Sequence, residues 1–243
     1  MNDSRDTIYA RPMAEPATFT FDDEVARVFP DMIRRSVPGY ASIIAMTGLL
    51  AGRYATSGSN LYDLGCSLGA STLAMRRGLK RHGCTIHGVD NSPSMIDRCA
   101  ALIAADSDHA AVQLHLMDLL ECHITNASMV ALNFSLQFIE PSRREPLLGQ
   151  IYRGLNPGGI LLLSEKIVFA DPGVNRLQQE LHEEFKRSQG YSEMEISGKR
   201  SALENILIPE TLQQHRQRLG KAGFSRSDPW FQCCNFVSLI AFK

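Results

Sequence analysis

Apolar residues in this chain fall into two alternating patterns: short runs broken by turn residues, and stripes of helical period. The runs at 61–64, 85–90, 112–117, 128–134 and 160–164 read as buried strands. Between them lie helical stripes: Leu68, Thr72, Met75 and Leu79; then Ile96, Cys99, Leu102 and Ile103; then Leu147, Leu148, Ile151, Tyr152 and Leu155. Gly83 is expected to end the first, Ser92-Pro93 to cap and open the second, and the turn Asn156-Pro157-Gly158-Gly159 to close the third. Strands separated by single helices imply right-handed crossovers and a parallel sheet. The chain is therefore predicted to be one α/β domain over 1–243, with a doubly wound, mostly parallel sheet of seven strands.

Two stretches interrupt that rhythm. Upstream, Val25, Phe29 and Ile33 form a stripe over 22–37 interrupted by Pro30, and Ile43, Ile44 and Leu50 form a second after the Pro38-Gly39 break. Together, 20–58 is expected to be a helical cap over the sheet edge or the pocket mouth. Downstream, 170–208 shows no strand, only polar helical text such as Leu177 to Phe185. It reads as an insertion, a lid or a dimer arm. A helix at 209–221 and strands near 230–234 and at 236–242 complete the chain.

The first strand breaks into Asp63-Leu64-Gly65-Cys66-Ser67-Leu68-Gly69. A strand opening onto glycines before a helix makes a nucleotide or nucleoside pocket, where a ligand can meet backbone amides and a helix N-terminus. Ser67 stands where a dinucleotide motif needs its second glycine, and Gly69 is out of step with the third. The acid two before the first glycine instead fits the D-x-G-x-x-x-G pattern of S-adenosylmethionine enzymes, with Asp63 near the pocket floor below the cationic methionine end. Later strands end in Asp90, placed to take both ribose hydroxyls; in Asp118-Leu119, placed for the adenine amino group and ring; and in Asn133, facing the amino-acid end. After the fourth strand, 132–138 offers no acid or histidine to activate a nucleophile.

Composition removes several other chemistries. Lys plus Arg is 25 against 26 Asp plus Glu, so no global field draws in nucleic acid or an anionic membrane. No apolar run approaches a bilayer-crossing length. The six cysteines form no C-x-x-C and no charged-then-apolar leader begins the chain, so a reduced, cytoplasmic protein is expected. Neither H-E-x-x-H nor a paired Cys/His spacing occurs, and no metal is expected. His182-Glu183-Glu184 reads as a helix surface, and Arg76 to Arg81 as the solvated end of a helix.

The particular wording goes further. Phe29-Pro30-Asp31-Met32-Ile33, Arg35-Ser36-Val37-Pro38-Gly39-Tyr40, Tyr62 to Gly69, Asp90-Asn91-Ser92-Pro93, Asn126-Ala127-Ser128-Met129-Val130, Leu155-Asn156-Pro157-Gly158-Gly159 and Lys199-Arg200-Ser201 closely resemble the bacterial carboxy-S-adenosyl-L-methionine synthases. The resemblance runs from about Arg5 to the C-terminus, insertion included, with Thr72 among its departures. It implies a Rossmann-like methyltransferase fold and the conversion of S-adenosylmethionine and prephenate to carboxy-S-adenosylmethionine and phenylpyruvate. The product would feed a separate transferase that builds the 5-oxyacetyl group of tRNA wobble uridine. Matching motifs imply ligand contacts from Tyr40, Gly65, Cys66, Ser67, Asp90, Asn91, Asp118, Leu119, Asn133 and Arg200. A homodimer is implied, and Arg200 would clamp the new carboxylate bidentately, in its own cavity or in that of the neighbouring subunit, while Cys66 reads as a turn residue rather than a nucleophile. With no protein base in view, the departing hydroxyl of prephenate is expected to serve as base. A small-molecule methyltransferase of the same fold and a non-catalytic S-adenosylmethionine-binding subunit remain the alternatives.

Overall fold

The computed structural model describes residues 5–10, 19–108 and 110–243. Its central strands are β1 (Asn60–Leu64), β4 (Ala127–Asn133) and β5 (Leu155–Val168), whose side chains divide by period two between two helical layers. Leu61, Met129, Ala131, Ile160 and Leu162 pack beneath α2 (Tyr40–Tyr54) and α3 (Ala70–Gly78). Tyr62, Leu64, Val130, Leu132, Leu161 and Leu163 pack against α5 (Pro141–Gly154) and α8 (Leu212–Ala222). Burial on both faces explains why these strands read as unbroken apolar runs.

β2 (Thr85–Asp90) and β3 (Ala111–Leu116) extend the sheet beyond β1, while β7 (Arg226–Cys233) and β8 (Phe236–Phe242) extend it beyond β5. The order is β3-β2-β1-β4-β5-β8-β7, and only β8 runs against its neighbours. The chain reverses its winding between β1 and β4, so a crevice opens at their carboxyl ends.

The seven-stranded path is joined by an eighth strand, β6 (Glu210–Thr211), which pairs with Ile167 and Val168. The following helix consequently starts at Leu212, where Thr211 caps it by accepting from the Gln214 N–H at 3.2 Å, and not at Pro209. The turn at Asn156 to Gly159 is a bulge inside β5, since pairing with β4 jumps from Leu155 to Ile160. β7 begins at Arg226, earlier than its pattern indicates, because Pro229 at a register shift on an edge strand masks the alternation.

Nor does Pro30 break α1 (Asp23–Ser36). It removes one backbone donor, while the Asp22 cap, accepting from the Val25 N–H at 2.9 Å, and the buried Val25, Val28 and Met32 hold the helix together. α4 (Pro93–Ala105) is capped as expected, with Ser92 Oγ accepting from the Met95 N–H at 3.2 Å. α3 stops at Gly78, before Gly83, where α2 crosses it in backbone contact: a Cβ on Gly78 would lie 1.9 Å from the Gly48 carbonyl oxygen. The stretch after β5 folds into α6 (Pro172–Ser188) and α7 (Glu193–Leu203). Among the described residues no helix is long and apolar enough to cross a membrane.

Candidate functional site

The turn after β1 is built from residues in the left-handed region: Gly65 (φ 79°), Ser67 (φ 47°) and Gly69 (φ 81°). Gly65 must be glycine, since a Cβ there would meet Ser135 Oγ at 2.1 Å. The amides of Gly65 and Cys66 both donate to the Val89 carbonyl, at 2.8 and 2.9 Å, and that of Gly69 donates to Cys66. The Ser67 N–H donates to Asp90 Oδ2 at 2.9 Å. These amides are therefore not free for a ligand, contrary to the expectation from the motif. A pyrophosphate would need them; a cationic sulfonium does not.

Asp63 lies beneath the turn, fully buried, and accepts from Thr72 Oγ1 at 2.6 Å. Burial pushes its carboxyl up to about 6 despite that bond. Asp90 accepts from Ser67 and, through Oδ1, from the Ser92 N–H at 2.9 Å, which fixes its plane; burial raises its carboxyl as well. Asp118 caps a short turn by accepting from Leu120 N–H at 2.9 Å. Asn133 is locked from both ends, donating to Ser71 Oγ at 3.0 Å and accepting from Ser164 Oγ at 2.6 Å. The Cys66 thiol sits beside Cys99, whose hydrogen bond together with burial raises it well above the usual thiol range. It is a turn residue, not a thiolate.

A cavity of about 1300 Å³ gathers these strand ends. Tyr40 of α2, the turn residues Gly65, Cys66 and Ser67, Asp90 with Asn91, Asp118 with Leu119, and Asn133 all line it. Tyr40 stacks at a tilt on Phe134, with 6.2 Å between ring centroids, and its hydroxyl is raised by burial and by Asp63.

Arg200 does not join them. Its side chain is 68% exposed on the outer face of α7 and bonds Glu183 at 2.9 Å. Successive helical residues point roughly 100° apart, and the inward direction belongs to Lys199. Lys199, Lys166 from β5, and His182 and Lys186 from α6 all line the cavity. His182 is thus no surface residue: it is buried, and its Nε2–H donates to the Ser36 carbonyl at 2.8 Å. Burial and the lysines around it push its imidazole down to about 3. Lys199 Nζ donates to Ser36 Oγ at 2.9 Å and lies 3.8 Å from Asp6. Arg35 beside Ser36 donates to the Gln189 carbonyl at 2.8 Å and stacks on Tyr191 at 3.8 Å. The last turn of α1 thereby holds both insertion helices. Sequence reasoning does not find these three lysines and the neutral histidine, because they come mostly from text that reads as polar surface; the i, i+4 spacing of His182 and Lys186 is the available signal.

This strand order, with carboxylates at the strand ends and the Gly65, Cys66, Ser67 and Gly69 amides of the turn already bonded, is that of a methyltransferase-type domain. Residues 61–159 match the family described as a methyltransferase domain. The fold is shared with human N-acetylserotonin methyltransferase, solved with S-adenosylmethionine (TM-score 0.58, 16% identity, 91% of this chain and 55% of that one). It is shared also with an O-methyltransferase family 2 protein from Planctomyces limnophilus (TM-score 0.63, 17% identity, 91% and 61%). Over 239 residues the chain is 54% identical to carboxy-S-adenosyl-L-methionine synthases of Yersinia pestis (strain Pestoides F) and Yersinia pseudotuberculosis serotype O:1b, spanning 98% of this chain and 90% of each relative. The chain belongs to the carboxy-S-adenosyl-L-methionine synthase family and is a transferase.

Proposed function

We propose that this enzyme takes S-adenosylmethionine and prephenate as substrates and releases carboxy-S-adenosylmethionine and phenylpyruvate. The observation that carries the reading is that the strand-end carboxylates and the cavity histidine are already engaged, while the cavity lysines are, like them, far weaker bases than a sulfonium ylide. Asp63 is bonded to Thr72 and Asp90 to two backbone amides, while His182 is held at about 3. Removing a proton from a sulfonium methyl some ten pKa units above an ordinary side chain would cost on the order of 14 kcal/mol, at about 1.4 per unit. A base generated beside the methyl meets that requirement. Prephenate loses CO2 and hydroxide as its ring becomes aromatic; hydroxide takes the methyl proton and leaves as water; the resulting ylide carbon bonds CO2. The protein contributes proximity and exclusion of water.

On this reading Asp90 takes the ribose hydroxyls, Asp118 and Leu119 the adenine, and Tyr40, Gly65, Cys66, Ser67, Asn91 and Asn133 the remaining contacts. Arg200, facing away from its own cavity, serves that of a second copy in a homodimer, where it clamps the new carboxylate. The product then supplies a separate transferase that modifies tRNA wobble uridine in the cytoplasm. Six free cysteines accord with a reducing compartment. Mass spectrometry of the nucleoside formed with both substrates present tests the reading. A product heavier than S-adenosylmethionine by one CO2 supports it; S-adenosylhomocysteine, or unchanged S-adenosylmethionine, overturns it.

A further inference from the structure

The insertion carries its amphipathicity inside out. On α6, Val174, Leu177 and Leu181 are 42%, 52% and 39% exposed, while His182 and Lys186 face the cavity. Lys166 reaches the same end of the cavity from β5, two residues beyond the Ser164 that holds Asn133, and Lys199 reaches it from α7. Lys199 has Ser36 and Asp6 for company. Among the described residues, Lys166 and Lys186 have neither a side-chain hydrogen bond nor an ion pair; Glu183 is felt by both without closing on either. Two half-buried ammonium groups, unpaired and facing one cavity, concentrate positive charge on its wall where an anion would meet it. Phe134 and Phe236 line the cavity here too, so an apolar wall stands beside the two cations.

We infer that Lys166 and Lys186 form the carboxylate-binding subsite for the carboxyl-donating co-substrate, an unsaturated ring bearing two carboxylates, with the aromatic wall taking the ring. The inference rests on the reading of the reaction given above and adds to it the residues that hold the second substrate. A dianion neutralises both lysines at once, and a neutral methyl acceptor would not. The subsite lies on the Asn133 side of the cavity, where the methionine end of S-adenosylmethionine is placed, so a carboxylate held there stands beside the methyl. Lys199, anchored on Ser36, and His182, which stays neutral, frame the two lysines without competing for them.

The test uses the full chain loaded with S-adenosylmethionine. Lys166→Met and Lys186→Met are each expected to weaken prephenate binding by calorimetry, and to raise its KM, on the order of ten- to a hundredfold, the loss of one charge-assisted contact. S-adenosylmethionine affinity should stay within about twofold, and Lys186→Arg should recover most of the prephenate affinity. If either Met variant no longer binds S-adenosylmethionine, Lys166→Gln and Lys186→Gln replace them. Unchanged prephenate binding in variants that retain S-adenosylmethionine overturns the subsite. Wild-type protein that binds prephenate lysine-dependently but forms no carboxylated product overturns the reaction and leaves the subsite standing. Wild-type protein that does not bind prephenate overturns both.

Discussion

Arg144 and Lys186 are both cations drawn away from water, and the fold treats them oppositely. Arg144 is fully buried and donates to the carbonyls of Ile139 at 2.8 Å, Ile208 at 2.9 Å and Gln137 at 3.3 Å, while pairing with Glu210. Burial would raise the Glu210 carboxyl, but Arg218 and Arg144 hold it below the usual range. Every face of that guanidinium has a partner, and the network ties α5 to β6 and α8. Lys186 has no such set, and burial together with Lys199 and Lys166 pushes its ammonium down to about 7. A buried charge that is fully partnered serves the fold; one left open toward a cavity waits for a ligand.

The most severe way to break this contrast is Arg144→Met. Leaving Glu210 buried with half its partners is expected to cost about 3–5 kcal/mol of stability, read from urea unfolding, with substrate affinities unchanged in the folded protein. A small loss would mean the two cations are not so different after all. Proton linkage sharpens the contrast from the other side. Lys186 at about 7 and Lys199 at about 8 bind fewer protons folded than unfolded, so their contribution to stability rises as pH climbs from these values toward the ordinary lysine range. The groups facing Lys186 are Lys166 on β5, Lys199 and Arg200 on α7, and Glu183 on α6. Glu165, whose carboxyl burial holds up to about 8, acts with the opposite sign, but equally in both proteins. The wild type is expected to gain more in its urea midpoint between pH 7 and 9 than Lys186→Met does, while its prephenate affinity falls over the same range. The smallest stability effect belongs to Arg200→Ala. Its exposed pair with Glu183 contributes at most about 1 kcal/mol, so unfolding should scarcely change. Carboxylated product should nonetheless fall more than S-adenosylmethionine binding; equal losses would remove its role as a clamp.

The two ends of the cavity were not equally legible in the sequence. Asp63, Asp90, Asp118 and Asn133 can be placed because each stands at or just beyond the carboxyl end of a strand, and strand periodicity fixes where the polar end emerges. The doubly wound, mostly parallel sheet follows from the same regularity, whereas β6 is too short to carry a period and Pro229 conceals the start of β7. Lys166, His182, Lys186 and Lys199 defeated the pattern for a physical reason. The rule that apolar faces turn inward is inverted on α6, and such inversions occur where binding, not stability, has shaped the residue choice. The motif Lys199-Arg200-Ser201 singles out Arg200, yet Lys199 is the one that lines this chain's cavity, because adjacency in sequence does not decide which of two helical residues points inward.

Arg35 and Ser36, at the end of α1, have a mechanical consequence. Two consecutive residues hold the Gln189 carbonyl, the His182 imidazole, the Lys199 ammonium and the Asp6 carbonyl. They act as a clasp rather than a hinge. The insertion cannot swing open on its own: any displacement that admits a substrate must either break these bonds together or carry the last turn of α1, and with it the Pro38-Gly39 approach to Tyr40, along the same path.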